Sequence, residues 1–252
     1  MNTQYPIYIP SKQRSECVLT AKILSKEGMK FFVVIEPQDH ADYAKVFLKD
    51  QLLVMDANNK GISYVRSWIK KHSLSNTNSY HWQADDNIAS FKIRRGGKNI
   101  DTKAMPLFSE MEQFVGAHLN IGIAGMKHQM FAFAASSDIS INKICYSCVL
   151  VNNQVAADWR PDVIEDTDYT LQVLSRGFCS IVFNRLIMAK IASMKMKGGN
   201  TDTTYAGDGR LKRAKKLQEL WPNQFKLREK YGRINIAPSQ VWKKFTQTPI
   251  RK

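Results

Sequence analysis

Phe31-Phe32-Val33-Val34-Ile35-Glu36-Pro37 is an unbroken apolar run closed by an acid and a proline. It lacks the polar alternation of a half-exposed strand and reads as a strand buried on both faces. Similar short runs lie on either side. Ile7 to Ile9 precedes it, and Leu52 to Met55 and Tyr80 to Gln83 follow. Helical patterns separate them. Ser15 to Glu27 predicts a helix closed by Gly28, and Pro37 with Asp39 opens a helix through Lys49. After the turn Asn58-Asn59-Lys60-Gly61, Ile62 to Lys71 predicts a third helix. This βαβαβαβ rhythm predicts a parallel sheet with helices on its faces. Ligands of such sheets bind beyond the carboxyl ends of the strands. There the fourth run ends in Ala84-Asp85-Asp86-Asn87.

The second half is more mixed. Ser109 and Glu112 have capping-box spacing before a helix through His118. Ile121 to Gly125, Met130 to Phe133 and Cys145 to Val151 read as strands with little helix between them, which implies antiparallel pairing. Asp166 or Thr167 starts a helix to Arg176 that closes at Gly177, and Phe178 to Phe183 is another buried strand. Asp208 to Trp221 predicts a helix. Its apolar stripe is Leu211, Ala214, Leu217 and Trp221, with Lys212, Arg213, Lys215 and Lys216 largely opposite. No repeat, low-complexity tract or linker divides the chain.

The chain has 252 residues, 44% of them apolar, and a formal net charge of +15. That composition excludes disorder. No apolar run approaches the roughly 20 residues of a membrane span. Met1 to Pro10 has no basic region and does not read as a signal peptide. Cys145-Tyr146-Ser147-Cys148 has CxxC form without a second pair or a nearby His, so two buried cysteines facing the same way in a strand are expected. A reducing cytoplasm suits them. From Lys195 to Lys252 there are 15 Lys and Arg against four Asp and Glu. Positive charge so concentrated is the footprint of a polyanion, usually nucleic acid.

Several groups of residues are candidates for chemistry. Asp85, Asp86 and Asn87 suit either a Mg²⁺ or Mn²⁺ completed by substrate phosphates, or a turn cap. Glu165 and Asp166 sit at a predicted helix start. There the helix dipole keeps a carboxylate ionised at neutral pH, ready to accept a proton or simply to cap the helix. Met194-Lys195-Met196-Lys197-Gly198-Gly199-Asn200 combines lysines with glycines that allow close approach to an anion. Pro10, Ser11, Lys12 and Arg14 after the first strand, and Gly61 and Arg66 after the third, lie on the predicted ligand edge. The five histidines have no metal-ligand spacing, and no P-loop or G-x-S-x-G element occurs.

Taken in order, six motifs resemble the TET-associated glycosyltransferases of bacteriophages. They are Pro10-Ser11-Lys12, Ile35-Glu36-Pro37, Asn58 to Arg66, Trp82 to Asn87, Ile164 to Tyr169, and Met196 to Asn200. The resemblance runs from Tyr5 to about Phe245. It implies a GT-A-like nucleotide-sugar-binding α/β fold with a mainly parallel central sheet, a mixed second half and a basic helical C-terminal region. It implies a nucleotide-binding half over about 1–90, an acceptor and catalytic half over about 91–194, and a basic extension over about 195–252. Asp85 and Asp86, with Asn87, would be the metal-binding motif for Mn or Mg. Asp166, beside Glu165, would be the catalytic base. Pro10, Lys12, Arg14, Glu36, Gly61 and Arg66 would surround the nucleotide, with Lys197, Gly198 and Asn200 near the diphosphate. The family pattern has an Asp where Gln83 or Asn87 stands here.

The expected activity is transfer of a sugar from a UDP-sugar to 5-hydroxymethylcytosine in double-stranded DNA, with inversion and a divalent metal. Lys212, Arg213, Lys215 and Lys216 would hold the DNA backbone. A metal-dependent nuclease would use the same carboxylates. A nucleic-acid-binding protein would use only the basic surface.

Overall fold

The computed structural model describes residues 3–132, 137–191, 196, 198, 209–222, 224–230, 233–238 and 241–252. In chain order the elements are β1 (Ile7–Pro10), α1 (Leu19–Lys26), β2 (Phe32–Ile35), α2 (His40–Tyr43), β3 (Leu52–Val54), α3 (Gly61–Ser75), β4 (Tyr80–Ala84), β5 (Ile88–Arg95) and β6 (Lys98–Thr102). Then come α4 (Ala104–Gly116), β7 (Ile121–His128), β8 (Ile139–Ile141), β9 (Cys148–Asn152), α5 (Glu165–Ser175), β10 (Cys179–Lys190), α6 (Gly209–Leu220), β11 (Phe225–Lys230) and β12 (Arg233–Pro238).

Among the described residues, ten strands form one sheet in the order β3-β2-β1-β4-β9-β7-β10-β5-β6, with β8 beside β10. The chain is thus an α/β protein with a mixed sheet, as expected. β1 pairs in parallel with both β2 and β4, and β2 with β3. β9 is antiparallel to β4 and to β7, and β7 is parallel to β10. Hence β1, β2, β3, β4, β7 and β10 all point their carboxyl ends at one edge. The remaining pair, β11 and β12, is a separate antiparallel ladder.

Side-chain alternation divides the core between the two faces of the sheet. Ile7 and Ile9 of β1 join a cluster with Leu24 of α1 and with Leu107, Phe108 and Met111 of α4. Tyr8, between them, packs with Val65 and Ile69 of α3. Along β9, Cys148 and Leu150 face α1 and α4, whereas Val149 and Val151 face Tyr169 and Val173 of α5. Cys145 belongs to the α5 cluster. The two cysteines are both buried and free, but they enter different clusters rather than facing the same way. The reason is that Cys145 lies before the strand, which starts only at Cys148.

Other local expectations also shift. The helix expected from Ser15 begins as a 3-10 turn, Ser15–Cys17, and α1 starts only at Leu19. The Thr20 backbone N–H donates to Asp86 O at 3.2 Å, and its hydroxyl donates to Asp85 O. The start of α1 is therefore tied to the acidic motif. The helix expected from Pro37 to Lys49 reduces to two short turns, and Gln51 Oε1 accepts from the Leu48 N–H as the chain enters β3. Ser109 and Glu112 are not a capping box, because both lie inside α4. Glu27 does the capping instead, accepting from the Ala104 N–H at 2.9 Å. Glu112 is buried and accepts from Trp82 Nε1 at 2.8 Å. Gln129–Phe131 is a 3-10 turn rather than a strand, fixed by the Met130 N–H donating to His128 Nδ1 at 3.0 Å, and Phe133 lies outside the described residues. The β5–β6 hairpin has no counterpart among the expected elements. Its signal is Gly96-Gly97, with φ +54 and +78, between two alternating runs.

Candidate active site

The shared carboxyl edge of the six like-pointing strands opens into a cleft of about 1090 Å³. β1 leads into Pro10, Lys12 and Arg14, β2 into Glu36, and β4 into Asp85, Asp86 and Asn87. The start of α3 supplies Gly61, at φ +79, and a turn later Arg66. The first two residues of α5 are Glu165 and Asp166, and α6 forms a further wall with Lys212, Arg213, Lys215 and Lys216. All of these line the cleft, although they come from all three thirds of the sequence.

The acidic motif is densely paired. Asp85 Oδ2 accepts from Lys190 Nζ at 2.6 Å, and Asp85 Oδ1 accepts from Arg66 Nη2 at 3.3 Å. Burial opposes ionisation of Asp85, but Lys190 and Arg66 outweigh it and hold the carboxyl below the usual carboxylate range. Asp86 is buried. Its Oδ1 pairs with Arg14 Nη1 at 3.0 Å and its Oδ2 accepts from Ser11 Oγ at 2.9 Å. Burial still pushes the Asp86 carboxyl up, against Arg14 and Ser11. Asn87 turns its amide nitrogen to Ile191 O at 2.7 Å, and its buried Oδ1 has no hydrogen-bond partner among the described residues. Gln83 accepts from Arg66 Nη1 at 3.0 Å, so it aims that guanidinium instead of a metal.

These donors test the metal that the resemblance implies. Among the described residues no group of three or more His, Cys, Asp or Glu side chains is arranged to hold a metal ion. Every carboxylate oxygen of Asp85 and Asp86 already has a cationic or hydroxyl partner. The motif's one side-chain oxygen without such a partner is a neutral amide, a weak ligand alone. As they stand, the side chains of the motif do not fit a divalent cation.

Asp166 lies in the first turn of α5, with its Oδ1 3.6 Å from Arg66 Nη2. Burial pushes its carboxyl up to about 7; Glu165 and Asp85 add to the rise, and Arg66 and Lys190 oppose it. The helix dipole therefore does not keep it fully ionised at neutral pH, because desolvation and the neighbouring carboxylates win. Glu165 forms an ion pair with Arg213, whose Nε also donates to Val163 O at 2.8 Å. Arg213 is thereby committed to holding α6 against α5. Lys212, Lys215 and Lys216 are exposed along the cleft, and Lys216 also pairs with Glu219 at 3.2 Å.

Lys12 Nζ is 3.0 Å from Glu36 Oε2 and 2.5 Å from Asn59 Oδ1, which joins the loops after β1, β2 and β3. Gly198 does not line the cleft. Its carbonyl accepts from Arg14 Nη2 at 2.6 Å, and a Cβ there would lie 2.8 Å from Gln13 O. Its glycine character serves a close approach to the loop after β1 rather than to an anion. Lys197 and Asn200 lie outside the described residues.

Lys190 is the cleft residue that the sequence pattern conceals. Asn184 and Arg185 interrupt the apolar run, so the strand reads as stopping at Phe183. In the structure the register shifts between Phe183 and Ile187 and β10 continues to Lys190. The returning apolar triplet Leu186-Ile187-Met188 is the signal that could have found it.

No helix among the described residues is long and apolar enough to cross a membrane. No curated protein matches the chain's sequence. One solved structure with some likeness is described as GalNAc-T7 with UDP, GalNAc and Mn2+, at 7% identity and a TM-score of 0.49. The likeness covers 75% of this chain and 44% of that one, so the chain spans less than half the length of that protein. The model of the TET-Associated Glycosyltransferase family matches residues 5–199, well over half of the chain, and the protein belongs to that family.

Proposed function

We propose that the protein transfers a sugar from a UDP-sugar to the hydroxymethyl group of 5-hydroxymethylcytosine in double-stranded DNA, by direct displacement with inversion. Membership of the family supports glycosyl transfer. The observation that carries the mechanism is Asp166, a cleft-lining carboxylate in the first turn of α5, 3.6 Å from Arg66 and pushed up to about 7. A base near neutral pH is matched to accepting a proton from a hydroxyl as it attacks. Asp166 takes the hydroxymethyl proton, and the oxygen forms a bond to the anomeric carbon. The bond from that carbon to the diphosphate oxygen breaks, and its electron pair leaves with UDP. Lys12, Arg14 and Arg66 line the cleft and supply positive charge to the donor side. The acidic motif does not fit a metal, and protein side chains carry these steps.

The acceptor side is supported by α6. Lys212, Lys215 and Lys216 stand exposed on the cleft wall, which suits the phosphates of a duplex. The 5-position of cytosine faces the major groove, so its substituent can be presented to a cleft bordered by cations.

The test is mass spectrometry of hydroxymethylated DNA incubated with a panel of UDP-sugars. The expected result is one sugar mass added per modified cytosine and none on unmodified DNA. Strand cleavage without a sugar adduct, or no adduct from any donor, would overturn the proposal.

A further inference from the structure

We propose that Lys190 does the work of a divalent cation at the donor site, holding the diphosphate of the nucleotide sugar so that transfer proceeds without a metal. This rests on the UDP-sugar donor proposed above. Lys190 ends β10, 105 residues from Asp85, and lines the same cleft. Its ammonium sits 2.6 Å from Asp85 Oδ2 and 2.8 Å from Ser147 Oγ. That places a cation on the carboxylate where a metal would otherwise be bound. An ammonium has three N–H donors. Two are taken by Asp85 and Ser147, and among the described residues none is paired with the third.

The charge balance agrees. Arg14, Arg66 and Lys190 lie against Asp85, Asp86 and Asp166, three cations for three carboxyl groups. A divalent ion would bring two more positive charges into a balanced cluster and would have to displace the ammonium from Asp85. Asp85 also fixes the ammonium in place, so the charge is preorganised before the donor arrives. As the anomeric bond breaks, the electron pair and its negative charge pass to the diphosphate, where Lys190 meets them with a charge-assisted hydrogen bond.

The test is calorimetry of UDP with the intact protein, in EDTA and in Mn²⁺. UDP affinity in EDTA should lie within about three-fold of that in Mn²⁺, since the binding cation is a side chain. Lys190→Ala should weaken UDP binding in EDTA by about ten-fold or more, the effect of removing one charge-assisted hydrogen bond. It should also free Asp85, so that added Mn²⁺ now restores part of the affinity. Lys190→Arg, which keeps the charge, should bind UDP without metal. Wild-type affinity that collapses in EDTA and returns with Mn²⁺ would overturn the inference alone. So would a folded Lys190→Ala protein that binds UDP as wild type does. No UDP binding by the wild type in either buffer would overturn the donor assignment together with the inference.

Discussion

Arg66 bridges Asp85 and Asp166: one guanidinium nitrogen, Nη2, lies 3.3 Å from Asp85 Oδ1 and 3.6 Å from Asp166 Oδ1. The other, Nη1, is held by Gln83 Oε1 at 3.0 Å. Gln83 in turn donates to Arg66 O at 3.2 Å and meets His81 Nε2 at 2.8 Å. Burial drives the His81 ring down to about 3, so it stays neutral in this network. The end of β4 and the start of α5 are therefore joined by a single cation whose aim is fixed from beneath the sheet edge.

Asp166→Asn should leave UDP affinity within a few-fold and lower the rate by at least about 10², the lower range for losing a general base. The native protein holds the Asp166 proton more tightly than an unfolded chain does, so ionising this group lowers stability as pH rises from about 4 through about 7. The Asn variant should consequently melt no lower than wild type at pH 8. Near-normal turnover by the folded variant would remove Asp166 from the mechanism.

The rate should rise with pH through about 7 and level off above it, because only ionised Asp166 accepts a proton. The Glu165 charge raises this carboxyl, so Glu165→Gln should move the rising limb to lower pH. Steady-state rates across the range from about pH 5 to about pH 9, with saturating donor, measure both. A limb that stays fixed in Glu165→Gln would mean that another group titrates.

Lys212, Arg213, Lys215 and Lys216 of α6 should separate into two behaviours. Arg213→Ala removes the partner of Glu165 and should cost about 3 kcal/mol of stability, since it leaves a poorly solvated carboxylate unpaired. Replacing Lys212, Lys215 and Lys216 by Gln should leave the melting temperature nearly unchanged. It should weaken DNA binding across sequences and flatten the log–log salt dependence by up to about 0.9 for each phosphate no longer neutralised. Denaturant melts and salt titrations of DNA affinity distinguish the two. An unchanged salt slope in the triple variant would detach α6 from the DNA.

Gly198→Ala should disturb the donor side from outside the cleft. A Cβ would meet Gln13 O at 2.8 Å and Lys12 O at 3.0 Å, at a backbone φ of +74 that side chains disfavour. The loop carrying Lys12 and Arg14 should shift, weakening UDP binding by several-fold with little loss of global stability. Calorimetry with UDP checks this, and wild-type affinity in the variant would show that the close approach is dispensable.

The amino-acid sequence determined the parallel half of the sheet, because β1 to β4 are short apolar runs with local helix and turn punctuation between them. It likewise determined that Asp85 and Asp86 follow a strand and that Asp166 opens a helix, since those positions depend only on neighbours in the chain. Only the tertiary structure decided which partners these carboxylates take. Lys190 reaches Asp85 because β10 runs on past Asn184 and Arg185, six places from β4 in strand number but on the same edge of the sheet. Arg213 reaches Glu165 because α6 packs its Leu217 against Leu171 of α5. Periodicity specifies which face of an element is buried, but strand order and helix docking specify what that face meets. The ionisation of Asp166 and the occupation of the acidic motif follow from those meetings.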